Sequence, residues 1–511
     1  MPTNGRAARS DYTPRSGRGP RRAPVRQDIG CSVYNRRVND LLTRSAIDQL
    51  ALLADRKISA LELAELHIEQ IERLNPRLNA LVDFDAERVR EQARARDDSP
   101  GERGVLHGLP VTIKGSIAVA GHRCETGSLW KRGFRPERDA EVVRRLRAAG
   151  AVILGTTNCP EHLMAYESDN LLYGKTRNPW DLERTAGGSS GGESAAIAAG
   201  MSAGGMGSDG GGSVRTPAHM TGICALKPTP GRIPADGHLA PPAGPFTLLG
   251  TVGPMARTMA DVEVLFRVVG GALETDPLAA PVAYRPMGLE AARAGAIGVL
   301  EDDGLVPVTA ETRTAVHDAA RVLEEAGLRV ETVRSGSGLL SALEAARQLW
   351  YKLFVGCGAM LLEPQTEEED ALLSPTFREF LAIAHRDAPV TARELLGTWM
   401  EIEPVRERLM EAMRELPVLL TPACGIPAFR HGEREWMVEG QRLGYLDAMR
   451  FTQWFNLLGS PAAVVPVLRT EEGLPVGVQV AGRPWEEERV LAVEGVVDRE
   501  FGYVAPGMAV G

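Results

Sequence analysis

The chain has 511 residues, 44% of them apolar and 24% charged, with a formal net charge of −9. That composition excludes a disordered or fibrous chain, and the acidic balance argues against a body that grips nucleic acid by neutralising phosphates. No uninterrupted apolar run reaches the roughly 18 residues that a membrane span needs, so a soluble protein is expected.

Residues 1–40 carry nine Arg and three Asp among many Gly, Pro and Ser. This stretch is expected to be a disordered basic leader ahead of one catalytic domain over 41–511. It resembles an organelle transit peptide only superficially, because Pro14, Pro20 and Pro24 break any amphipathic helix. The six cysteines include no C-x-x-C pair, which fits reduced thiols and a cytoplasmic protein. The nine histidines include no H-E-x-x-H, so no metal site is expected, and His162 and His219 read as ordinary polar residues.

Ser59 and Glu62 form a capping box that opens a helix, with a stripe of Leu63, Leu66, Ile71 and Leu74 before Asn75-Pro76 stops it. The run GLPVTIKG (108–115) reads as a strand, with Thr112 and Lys114 on the face opposite Val111 and Ile113. A lysine ending an apolar strand is ordinarily solvated at a sheet edge. A capped helix from Asp139 ends at Gly150, and a strand follows over 151–154. The same strand–helix–strand order recurs over 296–300, 310–326 and 328–333. Such units predict an α/β body: a large parallel or mixed sheet covered by helices. Residues 337–415 read as mainly helical, strands return over 418–420, 463–467 and 476–480, and a last helix spans about 487–500.

Residues 187–213 stand apart: eleven of these twenty-seven are glycine, in two Gly/Ser clusters around a short alanine-rich helix over 194–200. Apolar flanks argue against a flexible linker. Three chemistries compete within the stretch. Gly205, Gly207 and Gly210 match G-x-G-x-x-G, but the segment before them is alanine-rich and Pro230 stands where an acid is needed, so the nucleotide reading fails. Residues 187–191 match G-x-S-x-G, which would make Ser189 the nucleophile of an α/β-hydrolase, with His317, His385 and His431 downstream. Alternatively, the backbone N–H groups of Gly210, Gly211 and Gly212 form an oxyanion cradle beside Ser213, with Lys114 as base. Spacing alone leaves the last two open.

Longer runs carry a resemblance. GLPVTIKG (108–115), DAEVVRRLRAAGAVILGTTNCPE (139–161), TRNPWDLERTAGGSSGGESAAIAAG (176–200), GSDGGGSVRTPA (207–218), GICALKPTPGRIP (222–234) and GLPVGVQVAGRP (473–484) resemble the amidase signature family over nearly the whole body. The resemblance implies that family's fold, a single α/β/α body with a large mixed sheet covered by helices on both faces. It also implies metal-free and cofactor-free hydrolysis of a linear carboxamide through an acyl-serine, with Lys114 as base, Ser189 as bridging serine after a cis Gly188-Ser189 bond, and Ser213 as nucleophile. The oxyanion would lie on the N–H groups of Gly210, Gly211, Gly212 and Ser213. Asp209 and Arg215 would brace that loop, and Leu163 and Met164 would flank the acyl pocket. Two positions depart from the family's pattern: Gly115, where an Asp is usual, and Gly210, where a larger residue is usual and whose smallness predicts a more mobile oxyanion loop. The expected partner is a small-molecule amide, with no nucleic acid or membrane and a homodimer allowed. Competing readings are the amidase component of glutamyl-tRNA amidotransferase, a histidine-dependent esterase and a binding protein on an inactive scaffold. The far wall of the pocket is expected from residues 337–455, which carry no diagnostic motif.

Overall fold

Alternation along the strands decides how the body is layered. In the run 152–154, Ile153 joins one apolar layer with Val111, Ile113 and Val143, while Val152 and Leu154 join another with Leu63, Ile68 and Ala195. A sheet apolar on both faces must be covered on both, which requires helices on each side. In a computed structural model of the chain, residues 41–99, 103–238, 244–334, 336–386 and 391–507 are described, and the leader read over residues 1–40 lies outside them.

The strands are β1 (Leu81–Phe84), β2 (Pro110–Lys114), β3 (Val152–Thr157), β4 (Gly204–Asp209), β5 (Cys224–Lys227), β6 (Thr251–Ala256), β7 (Ile297–Val299), β8 (Val330–Thr332), β9 (Val418–Pro422), β10 (Glu435–Val438), β11 (Gln441–Gly444), β12 (Ala462–Arg469) and β13 (Pro475–Gly482). Among the described residues, eleven of them form one mixed sheet in the order β1-β3-β2-β4-β6-β5-β12-β13-β9-β7-β8, and β10 and β11 form a separate hairpin. Both expected strand–helix–strand units are present: β2 pairs with β3, and β7 with β8, in parallel. The helices Glu141–Ala148, Met259–Val269, Ala310–Glu325 and Glu487–Phe501 supply apolar residues to the layer on one face. On the other face lie Ala60–Leu78 and Gly191–Ala198. The helices of 338–412, with Arg450–Leu458, build a further apolar cluster beside the sheet.

Three local expectations are corrected. The helix opened by the Ser59–Glu62 capping box runs through Pro76 to Leu78 and ends on Asn79 in the left-handed conformation, and its buried stripe takes in His67 and Ile68 rather than Leu66. Pro76 lies in the last turn, where it forgoes its N–H bond, and the Asn75 side chain accepts from the N–H groups of Ala80 and Leu81 just beyond. Asp139 does not cap its helix, which begins at Glu141; its carboxylate accepts from Ala120 N–H at 2.8 Å instead. Lys114 is not at a sheet edge, since β2 lies between β3 and β4.

Candidate active site

β4 pairs in parallel with β2, setting Thr112 opposite Gly205 and Ile113 opposite Met206. The C-terminal ends of both strands therefore lie side by side, the usual place for a site in an α/β sheet. Lys114, the last residue of β2, is completely buried. Its Nζ lies 2.6 Å from Ser189 Oγ, 3.1 Å from Ser208 Oγ and 3.4 Å from the Ser208 carbonyl oxygen. Three neutral oxygens and no carboxylate make a poor home for an ammonium ion. Burial pushes the Lys114 pKa down to about 8, against smaller opposing pulls from Cys159, Asp209 and Glu193. Gly115 adds no carboxylate, and a side chain there would meet the Thr157 carbonyl oxygen at 2.7 Å. Glu193 is also fully buried, hydrogen-bonded by Thr112 and Thr157, and burial raises its pKa to about 8.

Ser189 follows a cis Gly188-Ser189 peptide, as the resemblance implied. Gly188 is required by close approach: a Cβ would stand 2.4 Å from Glu167 N and 2.7 Å from the Ala165 carbonyl oxygen. That contact ties the Ser189 loop to the segment carrying Leu163 and Met164. Ser190 N–H then donates to the Ser213 carbonyl at 3.1 Å, joining the two glycine clusters.

The loop 210–213 is held by its carbonyls. Trp350 Nε1 donates to Gly210 O at 2.7 Å, Tyr166 Oη and Thr452 Oγ1 donate to Gly211 O at 2.9 and 2.8 Å, and Thr216 N–H donates to Gly212 O at 2.7 Å. Fixing a carbonyl fixes the N–H on the other side of the same planar peptide. The Gly212 N–H points to Asp209 Oδ1 at 2.8 Å, so it is removed from the expected oxyanion set. Among the described residues, the N–H groups of Gly210, Gly211 and Ser213 have no protein acceptor. The expectation of a mobile loop at Gly210 is likewise corrected, because Phe354 fills the space: a Cβ on Gly210 would lie 2.6 Å from its ring. Gly211 is equally confined by Trp350 Cζ2, 2.4 Å from where a Cβ would sit. Gly211→Ala must displace the indole that pins the loop, and kcat is expected to fall about 100-fold in steady-state assays, the cost of losing one oxyanion donor.

Asp209 and Arg215 do form an ion pair, with Arg215 Nε and one terminal nitrogen 2.9 and 2.8 Å from the two carboxylate oxygens. Burial would raise the Asp209 pKa, but the charge and hydrogen bonds of Arg215 hold it well below the usual carboxylate range.

Ser213 opens onto two cavities. One, of about 50 Å³, is walled by Tyr166, Trp350, Phe354, Phe380, Ile383 and Tyr445. The other, of about 820 Å³, meets Ser189, Ser208 and Ser213 and extends to Trp399, Glu403 and Arg406. Leu163 and Met164 line both. Residues 337–455 supply much of the smaller cavity's wall and part of the larger one's, where Pro230, Ile233, Phe246, Leu278 and Trp485 also lie, and sequence reasoning missed these members. Trp350 precedes a π-helical segment, Tyr351–Gly356, which carries Phe354; such segments recur at functional sites. Ser208 is a second partner of Lys114.

The histidines of the esterase reading lie elsewhere. His317 pairs with Glu301 and His385 with Glu363, both on the surface. Among the described residues no histidine hydrogen-bonds to Ser189 or Ser213. His219 is a structural residue between Gly477 and Ile426. His162, read as an ordinary polar residue, lines the larger cavity between the rings of Trp130 and Phe377.

The chain is 34% identical to an indoleacetamide hydrolase of Bradyrhizobium diazoefficiens, covering 90% of this chain and 87% of that protein. It is also 34% identical to the amidase component of the glutamyl-tRNA(Gln) amidotransferase of Roseiflexus castenholzii, over 86% and 92%. Among solved structures, a crystal structure of an amidase superposes with a TM-score of 0.78 at 30% identity, over 90% of this chain and all of that one. A 6-aminohexanoate cyclic dimer hydrolase does so at 0.78 and 27%, over 91% and 99%. Together with a match to the amidase family that runs from residue 62 to residue 491, this makes the chain a member of the amidase family and an amide-hydrolysing enzyme.

Proposed function

We propose that Ser213, Ser189 and Lys114 hydrolyse a linear, uncharged or weakly polar carboxamide through an acyl-serine. The observation that carries this reading is the 2.6 Å contact between a fully buried lysine and Ser189 Oγ, with no carboxylate to hold the lysine charged. Neutral Lys114 takes the proton of Ser189 as Ser189 takes that of Ser213, and Ser213 Oγ bonds to the amide carbon. The oxyanion rests on the N–H groups of Gly210, Gly211 and Ser213. The protons then return: Lys114 re-protonates Ser189, Ser189 protonates the amine nitrogen, and the C–N bond breaks. Water, deprotonated along the same relay, cleaves the ester. We read residues 41–511 as one catalytic domain, and the five cysteines among the described residues, all free and buried, as those of a cytoplasmic protein.

The pH profile tests this reading. Protonation removes the base, so kcat/KM should fall about tenfold per pH unit below a limb near 8, where burial sets Lys114. Glu193 titrates in the same range, so the limb must persist in Glu193→Gln to belong to Lys114. A profile flat from pH 9 to 5 contradicts a neutral-lysine base.

A second reading, the amidase component of a tRNA amidotransferase, is favoured by the Roseiflexus relative. It requires glutaminase activity that appears only with copurifying protein partners. Turnover of simple carboxamides by the isolated chain decides for the first.

A further inference from the structure

The two cavities at Ser213 differ in size, in polarity and in which catalytic group they meet, and these differences assign the two halves of the substrate. The smaller one meets Ser213 and Gly211 but not Ser189. Its walls are mainly apolar and aromatic, with Thr376 and Glu379 among them, Trp350 stacked on Phe354 at 5.1 Å and Phe380 stacked on Phe377 at 5.6 Å. At about 50 Å³ against about 820 Å³ it is the tighter of the two, and it limits its occupant to a compact group. The larger cavity contains Ser189 and Ser208 and reaches solvent past Trp399 and Trp485, which are 46% and 40% exposed.

We infer that the small aromatic slot seats the acyl group, restricting it to a compact apolar unit such as phenylacetyl, while the large cavity takes the amine and admits bulky N-substituents. This rests on the relay of the preceding section. The group that hands a proton to the departing nitrogen must face that nitrogen, and Ser189 faces only the large cavity. The nitrogen and its substituent therefore lie on that side, and the carbonyl's other substituent is directed into the slot. Stacked ring walls favour a flat aromatic acyl group over an alkyl chain of equal volume. The enzyme's substrates are thus secondary as well as primary amides, discriminated on the acyl side.

A pair of isomeric amides tests the assignment on the wild-type protein. N-(2-naphthylmethyl)phenylacetamide carries the single ring on the acyl side, and N-benzyl-2-naphthylacetamide carries the same two ring systems exchanged. Both have an arylmethyl group on each side of the amide, so their intrinsic reactivities match. The first is expected to show at least 30-fold higher kcat/KM, and Phe380→Ala, which widens the slot, should shrink that ratio at least tenfold. A ratio near one or inverted overturns the assignment, as does a ratio that Phe380→Ala leaves unchanged. Failure to cleave either isomer, by enzyme that turns over phenylacetamide, overturns the amine half. The underlying relay is read separately: phenylacetamide turnover that survives Ser213→Ala contradicts the nucleophile while leaving the isomer ratio to report on the cavities.

Discussion

Ser213→Ala is expected to lower kcat for a carboxamide by about 10⁴-fold or more, with unfolding unchanged, and a fluorophosphonate probe should label Ser213 alone in the wild type. Access decides between the two serines. Ser189 is 1% exposed, and its hydroxyl is engaged by Lys114. Ser213 lines both cavities and sits beside the unpaired N–H groups that a tetrahedral oxyanion needs. Lys114→Ala should cost about as much, and the Lys114→Ala/Ser213→Ala double variant little more than either single one, because residues that act as a unit are not additive. Mapping of the label to Ser189 instead, or normal turnover by Ser213→Ala, would falsify the assignment and return the G-x-S-x-G serine to the role of nucleophile.

The parts of the site visible in the sequence are those whose chemistry is local. Gly210 to Ser213 is a run of backbone donors next to a hydroxyl, and Asp209 and Arg215 are close enough in sequence to pair across it. What was not visible depends on partners brought from far along the chain. Lys114 reads as a solvated strand end until β2 is placed between β3 and β4, a sheet order that no local pattern encodes. The loss of Gly212 from the oxyanion set follows from the Asp209 carboxylate reaching forward three residues to accept from its N–H, a matter of rotamer rather than spacing. Trp350, Tyr166 and Thr452 hold the loop from 140, 45 and 241 residues away in the chain. Aromatic residues in a helical region read as core, and here some of them are core and wall at once. The fold was more legible than the pocket because period-two alternation and glycine-ended helices repeat in every layer, whereas each wall residue occurs once.

Arg215→Ala is expected to destabilise the protein by about 3–5 kcal/mol in equilibrium unfolding, and to lower kcat at least tenfold in whatever fraction stays folded. The guanidinium is completely buried and makes five hydrogen bonds. Two go to Asp209; the others reach Thr452 O at 2.9 Å, Gln479 Oε1 at 2.6 Å and Asn456 Oδ1 at 2.6 Å. Removing it leaves the Asp209 carboxylate buried with Asn456 and backbone N–H groups, the more distant charge of Lys227 and no ion-pair partner among the described residues. Asp209 is held below the carboxylate range in the folded chain, so its contribution to stability is present above about pH 4 and is lost as pH falls through its lowered pKa. Without Arg215, burial raises that pKa, so the variant loses little stability when Asp209 is protonated, and variant and wild type differ most near neutrality and converge in acid. Arg215→Lys should recover little, because an ammonium cannot reproduce the fork that spans two carboxylate oxygens and three further acceptors. A merely structural ion pair would lower stability without touching kcat. The Gly212 and Val214 N–H groups on Asp209 make Arg215 a positioning residue as well, since they set the 211–212 and 213–214 peptide planes around Ser213. Unchanged kcat in folded Arg215→Ala would therefore separate the brace from the catalytic loop.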